Sequence, residues 1–154
     1  MAVAVLQEGA RIALREIERI EIAAFAGNPE GLLDAAIDAH LRAYRDEGRA
    51  LMALVRTYRQ LPPQLFALAH EALHPYLDRW AAIVTAVSGG RLTDRAHADA
   101  VCMILFGAMN ATVDWQERPG FALDQPELRR LFRTMLLHGI APSVEPGAPG
   151  HSPL

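Results

Sequence analysis

Residues 100–113, between Asp99 and Asp114, carry no charge and are apolar around nearly the whole circumference of a helix. At about 100° per residue, Val101, Ile104, Leu105, Ala108, Thr112 and Trp115 share one face of this segment. Cys102, Phe106, Met109 and Val113 share another. A helix greasy on two sides must be covered twice. The run is too short to cross a bilayer, which takes ~20 residues. The domain is therefore expected to supply one cover and a second subunit the other.

The rest of the chain also reads as helix. No useful stretch alternates with period two, so strands are not expected. Leu6, Ala10, Ala13, Leu14, Ile17, Ile20 and Ala24 form the stripe of a long first helix that stops near Gly27-Asn28-Pro29. A second helix is expected from Pro29 to about Glu47, capped by Asn28 and ended by Gly48, with Leu33, Ala36, Ile37, His40, Leu41 and Tyr44 inward. A short third helix follows, with Leu51, Leu54, Val55 and Tyr58 inward. The fourth runs from Pro63 to Ser88, with a kink expected before Pro75. Thr93 is the expected cap of the fifth, which runs to Gln116. The sixth spans Gln125–His138, with Asp124 and Glu127 in capping-box spacing and Gly139 as its stop. It turns Leu128, Leu131, Phe132, Met135 and Leu136 inward and leaves Arg129, Arg130 and Arg133 as a solvated face. The fold class is all-α, a single-domain bundle of about six helices over residues 1–140. Residues 141–154, with four prolines and two glycines, are expected to be a disordered tail.

The chain of 154 residues has the size of one domain, and 51% hydrophobic content excludes disorder as its main state. Its net charge of −3 argues against nucleic-acid binding by these residues. All 15 basic residues are Arg. Cys102 stands alone and cannot form an internal disulfide, and the start MAVAVLQEGAR has no signal-peptide pattern. A cytoplasmic, membrane-free location is expected. No phosphate loop, nucleophile elbow, CxxC or paired-carboxylate motif occurs, so neither an enzyme nor a cofactor is expected.

The histidines are the remaining reactive inventory. His70 and His74 lie four apart and could share a metal, with His40 as a third ligand, but two His at this spacing are a weak signal. His40, on an apolar face, is either a satisfied core residue or the polar handle of an apolar pocket. Asn110 is the corresponding polar residue of the charge-free segment, where Met103, Phe106 and Met109 are core or soft pocket lining. Cys102 is expected to be an inert buried thiol.

The stretches PYLDRWAAIVTAVSGGRLTD, DAVCMILFGAMNATVDW and ELRRLFRTMLLHGIAP carry a resemblance. Over about residues 3–142 the chain resembles the C-terminal regulatory domain of TetR-family transcriptional repressors. The resemblance implies a homodimer formed by the last two long helices, and a small, often hydrophobic effector bound among the central helices. It implies DNA binding only through a helix-turn-helix head, which these residues do not include.

The resemblance implies that the effector pocket is lined from the second to the fifth helices, and face arithmetic selects the residues. Tyr44, Val55, Tyr58, Phe66, Trp80, Met103 and Phe106 are its expected apolar lining, with His40, His70 and Asn110 as polar contacts. The expected dimer interface is Leu105, Ala108, Ala111, Thr112, Trp115, Leu128, Phe132 and Met135. Which face of the fifth helix is pocket and which is interface stays open. The alternatives are a helical metalloprotein or enzyme using His40, His70 and His74, and a headless dimerisation partner without a ligand.

Overall fold

The computed structural model describes residues 2–58, 61–92, 94–116, 120 and 123–138; at 2–3, 5–6, 46–58, 113–114 and 116 it describes the backbone alone. The chain is all-α. It forms α1 (Ala2–Glu18), a 3-10 turn (Ile22–Phe25), α2 (Pro29–Tyr58), α3 (Pro63–Val87), α4 (Arg95–Gln116) and α5 (Gln125–His138), with no strand among the described residues. Helix α2 lies at the centre, packed on α1, α3 and α5, while α3 packs on α1 and α4. Leu33, Ile37, Ile17, Trp80, Ile83 and Met109 are the deepest side chains and join the helices into one core.

The expected first helix ends early. It stops at Glu18 and resumes as the 3-10 turn. Ile20 N–H bonds the carbonyl of Ile17 rather than that of residue 16, which tightens the exit. The freed Ile20 carbonyl accepts from the Arg79 guanidinium of α3. Beyond the turn, Ala24 is exposed, whereas Ile12, absent from the expected stripe, is buried.

The expected second and third helices are one. Gly48 does not end α2, because a glycine inside a helix costs only ~1 kcal/mol and the flanking Arg, Ala, Leu and Met are strong helix formers. Its start follows the sequence signals: Asn28 Oδ1 accepts from Gly31 N–H at 2.9 Å, and Pro29 occupies the first turn.

Helix α3 runs through Pro75 to Val87 and exits through Ser88, Gly89 and Gly90, the two glycines at φ 59° and 86°. The cap of α4 is Asp94 rather than Thr93. Asp94 Oδ1 accepts from His97 N–H at 2.8 Å, and a carboxylate there also suits the positive end of the helix. Thr93 itself lies outside the described residues. Helix α5 has the expected capping box, with Glu127 N–H to Asp124 Oδ1 at 2.8 Å and Asp124 N–H to Glu127 Oε2 at 2.9 Å. Gly139 and the tail 141–154 lie outside the described residues.

Two expectations about α5 change. Arg129 and Arg133 are not a solvated face. They dock on an acidic ladder of α2, Arg129 Nη1 on Asp38 Oδ2 and Arg133 Nη1 on Asp34 Oδ2 at 2.8 Å. Leu131 and Met135, expected inward, are 45% and 42% exposed, because the arginine contacts rotate the helix so that only Leu128 and Phe132 are buried.

Candidate functional site

The buried polar centre of the molecule is built on His40. Its place on α2 follows from the core stripe Leu33–Ile37–His40–Tyr44, which meets Tyr76 and Trp80 of α3 and Phe106 and Asn110 of α4. Asn110 Oδ1 lies 3.0 Å from His40 Nε2 and can only accept, so Nε2 carries the hydrogen. His40 Nδ1 is then an acceptor and takes the Tyr76 hydroxyl hydrogen at 2.6 Å. The His40 ring stacks on Phe106 with centroids 5.6 Å apart and planes 5° from parallel. Trp80 stands edge-on to Phe106 at 5.3 Å, and Tyr44 lies 4.8 Å from His40.

Every group in this cluster is neutral near pH 7. Burial lowers the His40 pKa from 6.5 to about 4, with the Asn110 bond opposing the change. Burial likewise raises the Tyr44 and Tyr76 hydroxyls above their usual range, Tyr44 being partly held back by its bond to Asn110. The Cys102 thiol, buried beside the cluster, is pushed up to about 12 by the same cause and is inert as a nucleophile at neutral pH. Trp80 Nε1 is buried with no hydrogen-bond partner among the described residues.

The structure thus brings together five of the expected pocket residues, His40, Tyr44, Trp80, Phe106 and Asn110. Others fall elsewhere. Met103 is 52% exposed, because it lies about 90° around α4 from the face of Cys102, Phe106 and Met109. Phe66 is 42% exposed on the first turn of α3, with its ring 6.2 Å from exposed His70. The side chains of Val55 and Tyr58 lie outside the described residues. Tyr76, inward on its helix by periodicity, is the partner that the expected pocket lining left out. Its position four residues before Trp80, on the same face, was the available signal.

His70 and His74 face each other at 5.8 Å on the exposed side of α3, and His74 Nε2 lies 3.6 Å from Asp78. His40 is buried away from solvent with both ring nitrogens engaged by Tyr76 and Asn110, so it does not complete a metal site with them. Among the described residues no group of three His, Cys, Asp or Glu is arranged to hold a metal ion.

Helix α4 has two apolar faces, but their division differs from the expected one. Ala98, Cys102, Leu105, Phe106, Met109 and Thr112 are buried in the core, and Thr112 Oγ1 donates to Met109 O at 2.6 Å. Leu105, Thr112, Leu128 and Phe132, expected at a dimer interface, are at most 5% exposed within this chain. Helical phase explains this: residues 105 and 112 stand only ~60–80° from 102, inside the core arc. Ala108 and Ala111 are half-buried, and Trp115 and Met135 are 40% and 42% exposed. Ile104, 74% exposed, is the most open large apolar side chain described. No helix among the described residues is long and apolar enough to cross a membrane.

Residues 26–140 match the family model described as "Tetracyclin repressor-like, C-terminal domain". No curated protein and no solved structure gives a significant match to the chain.

Proposed function

The chain belongs to the tetracycline repressor-like C-terminal domain family, and from that premise we propose that it is the effector-sensing and dimerisation domain of a TetR-like regulator. The observation that carries the reading is the apolar surface of α4 and α5. Met103, Ile104, Trp115, Leu131 and Met135 are all at least 40% exposed. Soluble domains seldom leave such a surface uncovered, and a second copy of the same helices would cover it. Exposed Gly107 and half-buried Ala111 on the Ile104 face let a facing helix approach closely.

The effector would bind at the His40 cluster. Its neutral polar groups and aromatic walls suit a small, uncharged, hydrophobic molecule that exchanges one or two hydrogen bonds. Opening the contact between Phe106 and His40 is the adjustment that would admit it. Contact with DNA would belong to a helix-turn-helix head outside these residues, and the location would be the cytoplasm.

Light scattering tests the dimer. The wild type should have twice the chain mass of 16.9 kDa, and Ile104→Glu should halve that mass while retaining helicity by circular dichroism. A wild-type particle of single-chain mass at micromolar concentration would overturn the reading.

A further inference from the structure

An open cleft of about 550 Å³, separate from the His40 cluster, lies on the other face of α2, where the end of α1 and the 3-10 turn lean against it. Its α2 wall is Ala35, Asp38 and Arg42, a stripe at spacing three and four that points away from His40 and Tyr44. Ile20, Ala24 and Phe25 supply the apolar wall. The break that ends α1 at Glu18 creates this wall, because a continued helix would not turn these residues over α2.

The charges of the cleft are unequally committed. Glu16 holds Arg19 at 2.7 Å. Asp38 holds Arg129 and receives Gln125 Nε2 at 3.3 Å. Glu21 is exposed at the rim. Arg42 is half-buried and has neither a hydrogen bond nor an ion pair among the described residues. A guanidinium carries five N–H donors in a planar fork that matches a carboxylate bidentately. Here that fork stands beside an aromatic ring and three aliphatic side chains.

We propose that this cleft is a second ligand site, one for a small apolar carboxylate whose charged end is held by Arg42 and whose body lies on Phe25, Ile20 and Ala24. The acids of the cleft do not oppose it equally. Glu16 and Asp38 are neutralised by their own partners, and Glu21 faces solvent, where its charge is screened. The site is separate from the effector position proposed above and stands or falls independently of it. Asp38 gives it a route to α5, since the same carboxylate that walls the cleft fastens Arg129.

Calorimetric titration of the full chain with 4-phenylbutyrate tests the proposal, with 4-phenylbutylamine and 4-phenylbutanol as probes of the same body without the negative charge. The carboxylate should bind one to one at millimolar or lower concentration, and the amine and alcohol at least about tenfold more weakly. Arg42→Gln should weaken the carboxylate by about tenfold, Arg42→Lys by less, and Arg130→Gln on exposed α5 surface should leave it unchanged. Melting curves of the variants confirm that each is folded before titration, and Phe25→Leu, which keeps an apolar body without the ring, should weaken the carboxylate even if Arg42→Gln does not fold. Equal binding of carboxylate and alcohol, undiminished binding by Arg42→Gln, or no carboxylate binding at all would overturn it. Asn110→Ala should leave this binding intact, which separates its outcome from that of the effector reading.

Discussion

His40 and Asn110, 70 positions apart in the chain, share a hydrogen bond of 3.0 Å in which the imidazole Nε2–H is the donor. That bond fixes the tautomer, and the tautomer fixes Tyr76 as donor to Nδ1. Protonating the ring would put a hydrogen on Nδ1, against the Tyr76 hydroxyl. The neutral imidazole and the helix arrangement therefore support each other: α2, α3 and α4 each contribute one group to the chain Tyr76–His40–Asn110.

Acid should loosen the domain through His40. Its pKa is 6.5 unfolded and about 4 folded, so the unfolded chain binds the extra proton between these values. Stability from this group is complete above about pH 6.5 and falls as pH drops toward 4, by about 3 kcal/mol over that window. Melting temperatures measured across this range should decline for the wild type and decline less for His40→Gln. An identical slope in the two proteins would remove His40 as the cause.

The two faces of α4 should respond differently to truncation. Met109 is fully buried, and Met109→Ala should cost about 2–5 kcal/mol in urea unfolding through lost burial and the cavity left behind. Met103 is 52% exposed, and Met103→Ala should cost less than about 1 kcal/mol at protein concentrations too low for association. Comparable losses at both positions would contradict the observed helix phase.

The contrast marks what the sequence could and could not reveal. Periodicity located α3 and α5 and the all-α class, because caps such as Asp124 and breakers such as Gly89-Gly90 act through local geometry. Periodicity could not phase α4, since a helix apolar nearly all round gives too little polar side to orient it. Nor could it foresee that Gly48 would sit inside α2, where the strong helix formers that follow it outweigh a local penalty. Five members of the central cluster were legible as polar or aromatic residues on inward faces. Tyr76 was legible as an inward residue of its helix but not as a partner of His40, and the Arg42 cleft was hidden by a helix break held in part by Arg79 from a different helix.

The capping box of α5 gives a local test. Asp124 Oδ1 and Glu127 Oε2 satisfy each other's backbone N–H groups. Asp124→Ala removes one acceptor and should lower stability by about 1 kcal/mol, with Asp124→Ser restoring most of it. Failure of serine to rescue would mean that the carboxylate charge rather than the cap bond matters.

Asp38 and Arg129 tie α5 to α2, and their coupling is measurable. The Arg129 and Asp38 side chains are 33% and 19% exposed, so the pair is neither fully screened nor fully desolvated. Asp34 lies 3.8 Å from Arg129 and 2.8 Å from Arg133, and Glu30 lies 3.7 Å from Arg133, making a ladder rather than one pair. A double-mutant cycle with Asp38→Asn and Arg129→Gln should give a coupling of about 0.5–1 kcal/mol, reduced in high salt. Each single change should cost more than the coupling, since it leaves a half-buried partner with one fewer neutralising charge. Of the two, Asp38→Asn should be the milder, because Arg129 keeps Asp34 nearby, whereas Arg129→Gln leaves Asp38 with Gln125 alone. A coupling near zero at low salt would show that Leu128 and Phe132 hold α5 on α2 without help from the ladder, and Asp38→Asn proving the costlier variant would show that Asp34 does not stand in for Asp38.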